Sequence, residues 1–408
     1  MADTDTSRSS RRVSPPTGSE NWLTPWVQLR SATYHPFVYE RMVGSRSQDA
    51  ERGQLLHVYD KGGERFGMGF YNPRSRIALR MVCYGETVAD SAFFEESFRR
   101  AVELREKTLF LSEITNAYRL FHGEGDGVSG LVVDRYDDVL SVEFFSYAAY
   151  LQRAEWIAAL QQLTGTSKCV LRVADVVLRR EGFRLQEGDL DSAVKSVRIR
   201  EHGVRYAVDF ERGHKTGFFC DQRENRRRFA ELVEGQRVLD VCCYTGGFGL
   251  AALVHGRAKD VTGVDLDEKA IDQARHNANL NQVRARWVHT DGFSYLRQMQ
   301  QNECKWDAVV LDPSKFIADR DSREEGRKKY QDLNRLAVSV VEPGGLFVTC
   351  SCSGLLSEAE FREAVIFAAH RQRRRLQIFD ITGAGPDHPV MSNFPEGRYL
   401  KVMWCRVW

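Results

Sequence analysis

The sequence predicts an α/β Rossmann-like domain in the C-terminal half of the chain, preceded by a small β-barrel and an α+β connector. Three observations support this prediction. Short apolar segments separated by turns fill residues 22–90, a mixed region follows them, and from Gly235 apolar strands alternate with amphipathic helices. Such alternation is typical of a doubly wound parallel sheet. With 408 residues, the chain is long enough for several domains with their own cores.

The first predicted domain is the small barrel. Residues 1–21 are rich in Ser, Arg, Thr and Pro, a composition typical of a disordered tail. From Trp26 onwards, short apolar segments are separated by turn sequences such as KGGE at 61–64. This pattern of successive hairpins predicts a barrel within residues 22–90.

An α+β domain is expected over residues 91–195. Apolar residues at helical spacing begin near Ser91, and two alternating apolar runs follow a glycine-rich stretch after Tyr118. Glu124 and Asp126 lie in that glycine-rich stretch. Acidic side chains in such turns more often cap backbone amides than form a catalytic or metal-binding pair.

The third domain, residues 196–408, carries a carboxylate at the end of each of four predicted strands. These residues are Asp240, Asp265, Asp291 and Asp312. In open α/β sheets, ligands bind beyond the carboxyl ends of the strands. We therefore expect the four carboxylates to line a ligand site, although each could also cap the helix that follows it.

Composition excludes several classes of protein. The 58 Lys and Arg residues nearly balance the 56 Asp and Glu residues, so any basic surface must come from local clusters such as RENRRR at 223–228 and HRQRRR at 370–375. Nine cysteines without paired spacing do not indicate a disulfide framework, and they are expected to be reduced. The absence of a signal-like start and of a long apolar run predicts a cytoplasmic protein.

The loop after the first strand of this domain, YTGGFG at 244–249, indicates a cofactor site. Its adjacent glycines let the backbone approach a ligand, and a carboxylate at the end of the next strand can accept both hydroxyls of a ribose. Nicotinamide cofactors and S-adenosylmethionine (SAM) share these features. The loop lacks the full GxGxxG of a pyrophosphate site, so SAM is favoured. The expected cofactor-binding residues are Tyr244, Thr245, Gly246, Gly247, Asp265, Asp291 and Asp312.

TCSCSG at 349–354 supplies a candidate nucleophile beside Asp312. C5 of a pyrimidine is a poor nucleophile, so an enzyme that methylates it must first add a thiolate to C6. Cys350 is expected to be the last inward-facing strand residue and Cys352 to lie in the turn, nearer the ligand. We therefore predict Cys352 and Asp312 as the catalytic residues. No second pair of ligands accompanies the C-x-C spacing, so no metal is expected.

These segments resemble the ribosomal RNA large subunit methyltransferase I (RlmI) family, SAM-dependent enzymes that make 5-methylcytosine. The resemblance rests on GHKTGFFCDQRENR (213–226), VLDVCCYTGGF (238–248), LDPSKF (311–316), SCSGL (351–355) and DHPV with PEGRYLK (387–401). It implies a PUA-like RNA-binding barrel and makes Cys352 the nucleophile. It also places Gln222 and Arg223 near the cofactor. Ser314 stands where the family usually has a second proline.

The resemblance implies ribosomal RNA as the partner. Lys315, Arg226 and Arg227 are the residues expected to contact it. An exposed barrel edge would permit a homodimer, which nothing in the sequence requires. Two other functions stay open at this stage: methylation of an amino group on RNA or protein, which would not need Cys352, and a non-catalytic RNA-binding assembly factor.

Overall fold

The structure, a computed structural model, describes residues 15–211 and 217–408. Most of the expected N-terminal tail, residues 1–14, lies outside the described residues, as do residues 213–216 of the GHKTGFF segment. The remainder of the tail contains a single 3-10 turn, Ser19–Asn21. The ring of Trp22 stacks on Tyr59 of the barrel, with ring centroids 4.2 Å apart.

The first domain is a barrel-like sheet of six short strands. Their order is β2-β6-β5-β4-β1-β3, and β1 runs parallel to β4. Alternate residues such as Val27, Leu29, Leu56 and Val58 point into one apolar core. The strands are β1 (Trp26–Leu29), β2 (Phe37–Tyr39), β3 (Val43–Arg46), β4 (Leu55–Tyr59), β5 (Arg65–Tyr71) and β6 (Ile77–Tyr84).

The second domain packs helices against a four-stranded sheet of order β10-β9-β8-β7. Asp90 caps its first helix by accepting a hydrogen bond from the Phe93 amide. The helices are α1 (Ser91–Glu103), α2 (Leu111–Ile114), α3 (Tyr147–Leu151), α4 (Arg153–Thr164) and α5 (Asp175–Glu181). The strands are β7 (Ala117–His122), β8 (Leu131–Tyr136), β9 (Val139–Phe144) and β10 (Lys168–Arg172), and a separate hairpin of β11 (Ser196–Glu201) and β12 (Val204–Asp209) follows them.

The third domain is the doubly wound sheet that the alternating pattern predicted. Its strand order is β15-β14-β13-β16-β17-β19-β18. The strands are β13 (Arg237–Val241), β14 (Asp260–Asp265), β15 (Arg286–His289), β16 (Trp306–Leu311), β17 (Val341–Ser351), β18 (Leu376–Thr382) and β19 (Lys401–Val407). The helices are α6 (Arg223–Glu231), α7 (Gly247–Val254), α8 (Glu268–Leu280), α9 (Gly292–Gln301), α10 (Arg323–Ser339) and α11 (Glu358–Arg371).

The last strand of this sheet fills an interior position. β19 lies between β17 and β18 and runs antiparallel to both of them. Its residues Val402, Met403, Trp404 and Cys405 are fully buried. The seven-stranded sheet is therefore continuous only when the most C-terminal strand is in place.

A buried carboxylate, Asp387, joins the second and third domains. It accepts hydrogen bonds from the Arg223 guanidinium at 2.9 and 3.0 Å and from the Arg119 amide at 2.9 Å. Its backbone carbonyl accepts a further bond from Arg105 at 2.7 Å. Burial would raise the pKa of Asp387, but the charges of His388 and Arg223 hold that pKa well below its usual range. Asp387 is therefore an ionised tie between α6, β7 and the π-helical turn, Leu104–Thr108, that follows α1.

The segment after Asp387 also contacts the barrel. Asn393 donates a hydrogen bond to the carbonyl of Tyr34 at 2.6 Å. The Phe394 ring packs edge-on against Phe37 and His35. Along residues 387–401, the chain thus contacts first the second domain, then the barrel and finally the sheet of the third domain.

Two features bear on the compositional expectations. None of the nine cysteines forms a disulfide bond. Within residues 15–211 and 217–408, no helix combines the length and the apolar character needed to cross a bilayer.

Two arginines of α6 provide a matched test of the Asp387 tie. Arg223 is buried in its pair with Asp387, whereas Arg227 forms exposed pairs with Glu224 and Glu231 on its own helix. Arg223→Ala leaves a buried carboxylate without its main counter-charge, so we expect it to lower the free energy of unfolding by about 3–5 kcal/mol. We expect Arg227→Ala to cost about 1 kcal/mol or less. Urea titration measures both, and equal costs would show that the buried pair does not hold the domains together.

Candidate functional site

A cavity of about 810 Å³ opens at the carboxyl ends of the parallel strands, where the sequence predicted a ligand site. This volume lies within the usual range for small-molecule sites. The cavity is lined at one end by the glycine loop after β13 and by the ends of β14 and β15. At the other end it is lined by the loop after β16, by the turn after β17 and by Tyr399.

The glycine loop packs too closely for larger side chains. Gly246 has a positive φ of 85°, and a Cβ at this position would lie 2.6 Å from the Trp287 ring. A Cβ at Gly247 would lie 3.0 Å from the Arg226 side chain. Tyr244 also has a positive φ, and Thr245 is buried beside it. A larger residue at Gly246 would therefore be strained, and one at Gly247 would require the Arg226 side chain to shift.

Of Asp265 and Asp291, only Asp291 caps the helix that follows it, because the cap of α8 is Asp267. Asp265 accepts hydrogen bonds from the Tyr244 and Asp267 amides at 2.8 and 2.9 Å, which hold the glycine loop against the end of β14. Asp291 caps α9 by accepting from the Ser294 amide and hydroxyl, each at 2.9 Å. Both carboxylates also line the cavity, so capping does not exclude ligand binding.

Asp240 is the most deeply buried carboxylate of the cavity. One of its oxygens accepts from the Gly249 amide at 2.9 Å, and the other has no hydrogen-bond partner among the described residues. Burial, with lesser effects from Asp312 and Asp265, raises the pKa of Asp240 to about 7. The concentration of carboxylates gives this part of the cavity an electrostatic preference for a cationic ligand.

Asp312 follows β16 and is oriented by a buried amide. Gln222 donates from Nε2 to Asp312 Oδ2 at 3.0 Å, and its own oxygen accepts from Asn225 at 2.7 Å. Gln222 and Asp312 both line the cavity, so the structure brings together two residues that lie 90 positions apart. The predicted cofactor residue Gln222 thus also orients the predicted catalytic carboxylate.

The turn after β17 presents Cys352 to the cavity. Cys350 is fully buried within β17, whereas Cys352 lies just beyond the strand, is half-buried and lines the cavity with Gly354. This is the arrangement that the sequence predicted for the two cysteines. Burial raises the pKa of the Cys350 thiol well above its ordinary value, which disfavours a thiolate at that position.

Ser353 ties the Cys352 turn to the loop that carries Asp312. Its hydroxyl accepts a hydrogen bond from the Ile317 amide at 3.2 Å and lies 2.9 Å from the Tyr330 hydroxyl. The loop after Asp312 is therefore anchored at Ile317, three residues after the exposed Ser314. This anchor holds the loop although Ser314 replaces a proline that would have stiffened it.

The structure corrects one of the expected RNA contacts. Arg226 is buried beneath the glycine loop, and its guanidinium donates to both oxygens of Glu201 at 2.7 and 2.6 Å. Because this charge is enclosed and already paired, Arg226 is not available to a phosphate group. Lys315 and Arg227, by contrast, are exposed.

Neither basic cluster forms a continuous charged surface beside the cavity. In RENRRR, Arg223 is buried as well as Arg226, so half of its four arginines point inward. HRQRRR begins with the last two residues of α11, and Arg374 donates to the carbonyl of Val341 at the start of β17. That cluster therefore lies at the edge of the sheet opposite the cavity.

Sequence reasoning missed several cavity residues supplied by irregular segments. Phe219 and Asp221 come from the stretch before α6, and Glu396 and Tyr399 come from the segment before β19. The Tyr399 hydroxyl donates to Asp221 at 2.6 Å and so joins the two stretches. The available signal was the motif PEGRYLK, which includes both Glu396 and Tyr399.

In the part of the chain that the structure describes, no three His, Cys, Asp or Glu side chains are grouped in a way that could hold an ion.

Two family models match the chain. A model described as an S-adenosylmethionine-dependent methyltransferase matches residues 118–372, and a PUA-like domain model matches residues 28–84. The second match covers the strands of the barrel. The predicted fold class is thereby confirmed, as is SAM as the cofactor.

Curated relatives and solved structures agree with these matches. Ribosomal RNA large subunit methyltransferase I from Salmonella typhi is 35% identical over 379 residues, covering 91% of this chain and 94% of the relative. The protein of the same name from Citrobacter koseri is 35% identical over 381 residues, covering 91% and 95%. A SAM-dependent methyltransferase from Streptococcus mutans superimposes with a TM-score of 0.77 at 20% identity, covering 93% of this chain and 100% of that one. A methyltransferase solved with SAH superimposes with a TM-score of 0.79 at 21% identity, covering 94% and 100%.

The buried Asp240 predicts a pH-dependent stability difference. A carboxyl whose pKa is raised to about 7 on folding destabilises the folded protein increasingly as the pH rises from about 4 to 7, by on the order of 4 kcal/mol above that range. Asp240→Asn removes this cost and keeps an oxygen for the Gly249 amide. We expect the variant to gain thermal stability over wild type at pH 8 and to gain much less at pH 5. A gain that is the same at both pH values would contradict an ionisable, buried Asp240.

Proposed function

This chain belongs to the ribosomal RNA large subunit methyltransferase I (RlmI) family of SAM-dependent RNA methyltransferases, and from that premise we propose that it methylates C5 of a cytosine in large-subunit ribosomal RNA. The observation that carries this proposal is the meeting of Cys352, Asp312 and the strand-end carboxylates in one cavity. A methyl donor and an activated pyrimidine must lie side by side for the reaction to occur.

The residues at the glycine-loop end of the cavity fit SAM. Asp265 lies at the end of the second strand, where a carboxylate can accept the ribose hydroxyls. The cluster of carboxylates around Asp240 suits the positive sulfonium group, and Phe293 and Leu266 offer apolar surface for the adenine ring. SAM supplies an electrophilic methyl group when bound at this end.

Cys352 acts as the nucleophile in this proposal. Its thiolate adds to C6 of the cytosine, which makes C5 electron-rich enough to take up the methyl group. Loss of the C5 proton then expels the Cys352 thiolate and restores the aromatic ring. The enzyme is regenerated without a net change in the cysteine.

Asp312 positions the cytosine. Its carboxyl group, held by Gln222, faces the same cavity as Cys352, where it can hydrogen-bond N3 or the exocyclic amine. Such a bond withdraws electron density from the ring and assists addition at C6. Lys315, which follows three residues later and is exposed at the rim, is suited to contact the RNA backbone.

Substitution of the two neighbouring cysteines tests the mechanism. Wild type, Cys352→Ala and Cys350→Ala are incubated with unmodified large-subunit ribosomal RNA and methyl-labelled SAM, and the nucleosides are analysed by mass spectrometry. We expect labelled 5-methylcytosine from wild type and from Cys350→Ala, and at least a thousandfold less from Cys352→Ala, because only Cys352 forms the adduct.

Other outcomes of that experiment point to other functions. Label on an exocyclic nitrogen, or full activity of Cys352→Ala, would replace the thiolate mechanism with amino-group methylation. Protein that binds SAM and RNA but transfers no label to any base would be a non-catalytic assembly factor.

Asp265 provides a separate test of the cofactor end. Asp265→Ala removes the carboxylate proposed for the ribose, and we expect SAM affinity to fall about 10- to 100-fold, as is usual when hydrogen bonds to a charged group are lost. Asp272→Ala changes an exposed carboxylate of α8 and serves as the control. Isothermal titration calorimetry measures both variants, and a change of less than about twofold for Asp265→Ala would argue against this placement of the ribose.

A further inference from the structure

Lys401 is a buried lysine that lies against the turn carrying the candidate nucleophile, Cys352. It is the first residue of β19 and lies directly opposite Ser351 at the end of β17. Its side chain donates from Nζ to the carbonyls of Ser353 and Leu356 at 2.7 and 2.8 Å. These carbonyls belong to the turn that carries Cys352. The ammonium group is therefore held against that turn.

Holding the turn in place does not by itself require a charge at this position. Ser353 already anchors the turn through the Ile317 amide and the Tyr330 hydroxyl, and its own amide donates to Ser351. Only 5% of Lys401 is exposed, and burying an ammonium group is unfavourable unless a negative charge or dipole compensates it. Neutral donors could have made the same two hydrogen bonds.

The groups that face the Lys401 ammonium identify its counter-charge. Burial lowers the pKa of Lys401 to about 8, and the next influence is Cys352, whose negative form would raise it. Glu358 and Glu360 at the start of α11 also favour the charged lysine, while Lys315 opposes it. Glu360 is already held by Ser357 and Arg323.

Among the neighbours of Cys352, the carboxyl group of Asp312 opposes a thiolate. Tyr330 and Cys350 also lie near enough to interact electrostatically with Cys352, but burial raises the pKa of Tyr330 to about 12 and that of Cys350 well above its ordinary value. Asp312 lines the same cavity, and a negative charge on it disfavours an anion on sulfur. A nearby lysine shifts a cysteine towards the thiolate that nucleophilic attack requires.

We propose that Lys401 is a positioning residue for the nucleophile, whose buried ammonium group both fixes the Cys352 turn and stabilises the Cys352 thiolate. This inference rests on the proposed role of Cys352 in methyl transfer. It extends that role by assigning the activation of the thiol to a residue of the strand that pairs with β17.

The test follows the alkylation of Cys352 by iodoacetamide between pH 5 and 10 in the full chain, with each cysteine quantified by peptide mass spectrometry. The exposed Cys304 reacts in the same molecules and serves as the internal reference. In wild type, we expect the midpoint of the pH profile of Cys352 to lie below that of Cys304. A Cys352 midpoint at or above that of Cys304 would overturn the proposal without any variant.

Three variants separate charge from hydrogen bonding. Lys401→Met removes both, Lys401→Gln keeps neutral donors for the carbonyls, and Lys401→Arg keeps the charge. We expect the Met and Gln variants to raise the midpoint of the Cys352 pH profile by about one pH unit or more, which is a tenfold loss of thiolate at any pH below the midpoint. We expect the midpoint of the Arg variant to stay close to that of wild type. Cys304 should not change. An unchanged Cys352 midpoint in Lys401→Gln that still binds SAM would reduce Lys401 to a structural role.

The readout distinguishes this inference from the proposed function. Alkylation needs neither RNA nor turnover, so it reports on Lys401 even if the substrate is a different base. Failure of the proposed function is seen instead as undiminished methylation by Cys352→Ala. In the methylation assay, the Met variant is expected to lose about tenfold in kcat below the midpoint with an unchanged KM for SAM.

Discussion

The buried pair between Arg223 and Asp387 is the interaction on which the candidate site depends. Arg223 begins α6, and the preceding residue, Gln222, orients Asp312. Asp387 begins the segment that leads to Lys401 and the Cys352 turn. This ion pair therefore links the residue that orients Asp312 to the segment that supports the Cys352 turn. The amide of Arg119 extends this control to the second domain.

The fold could be predicted because the patterns that determine it lie within short stretches of the sequence. Alternating apolar strands and amphipathic helices produce the parallel sheet, and that sheet necessarily brings the ends of successive strands to one edge. The positions of Asp265, Asp312 and Cys352 follow from this geometry. The period of two along a strand places Cys350 and Cys352 on the same side, and β17 ends between them at Ser351.

The remaining features depend on partners that are distant in sequence. Arg226 looked like part of an exposed basic cluster, but it shares a helix face with Arg223, and its carboxylate partner, Glu201, lies 25 positions away. The sequence around Lys401 does not indicate that its ammonium group contacts two carbonyls of a turn that lies 45 to 48 residues earlier in the chain. Composition and spacing carry no information about such pairings. They are determined by how separate elements dock.

The interior position of β19 has a consequence for synthesis of the protein on the ribosome. Chains emerge from the N-terminus, and domains tend to fold as they appear. Until residues 401–407 are available, β17 and β18 each present an unpaired edge, and the turn bearing Cys352 lacks Lys401 beneath it. Open edges of this kind invite pairing with other chains. The nascent polypeptide therefore passes through a stage at which its sheet can aggregate and the Cys352 turn is not yet supported. Pairing of β19 with β17 and β18 removes the open edges and brings Lys401 under the turn.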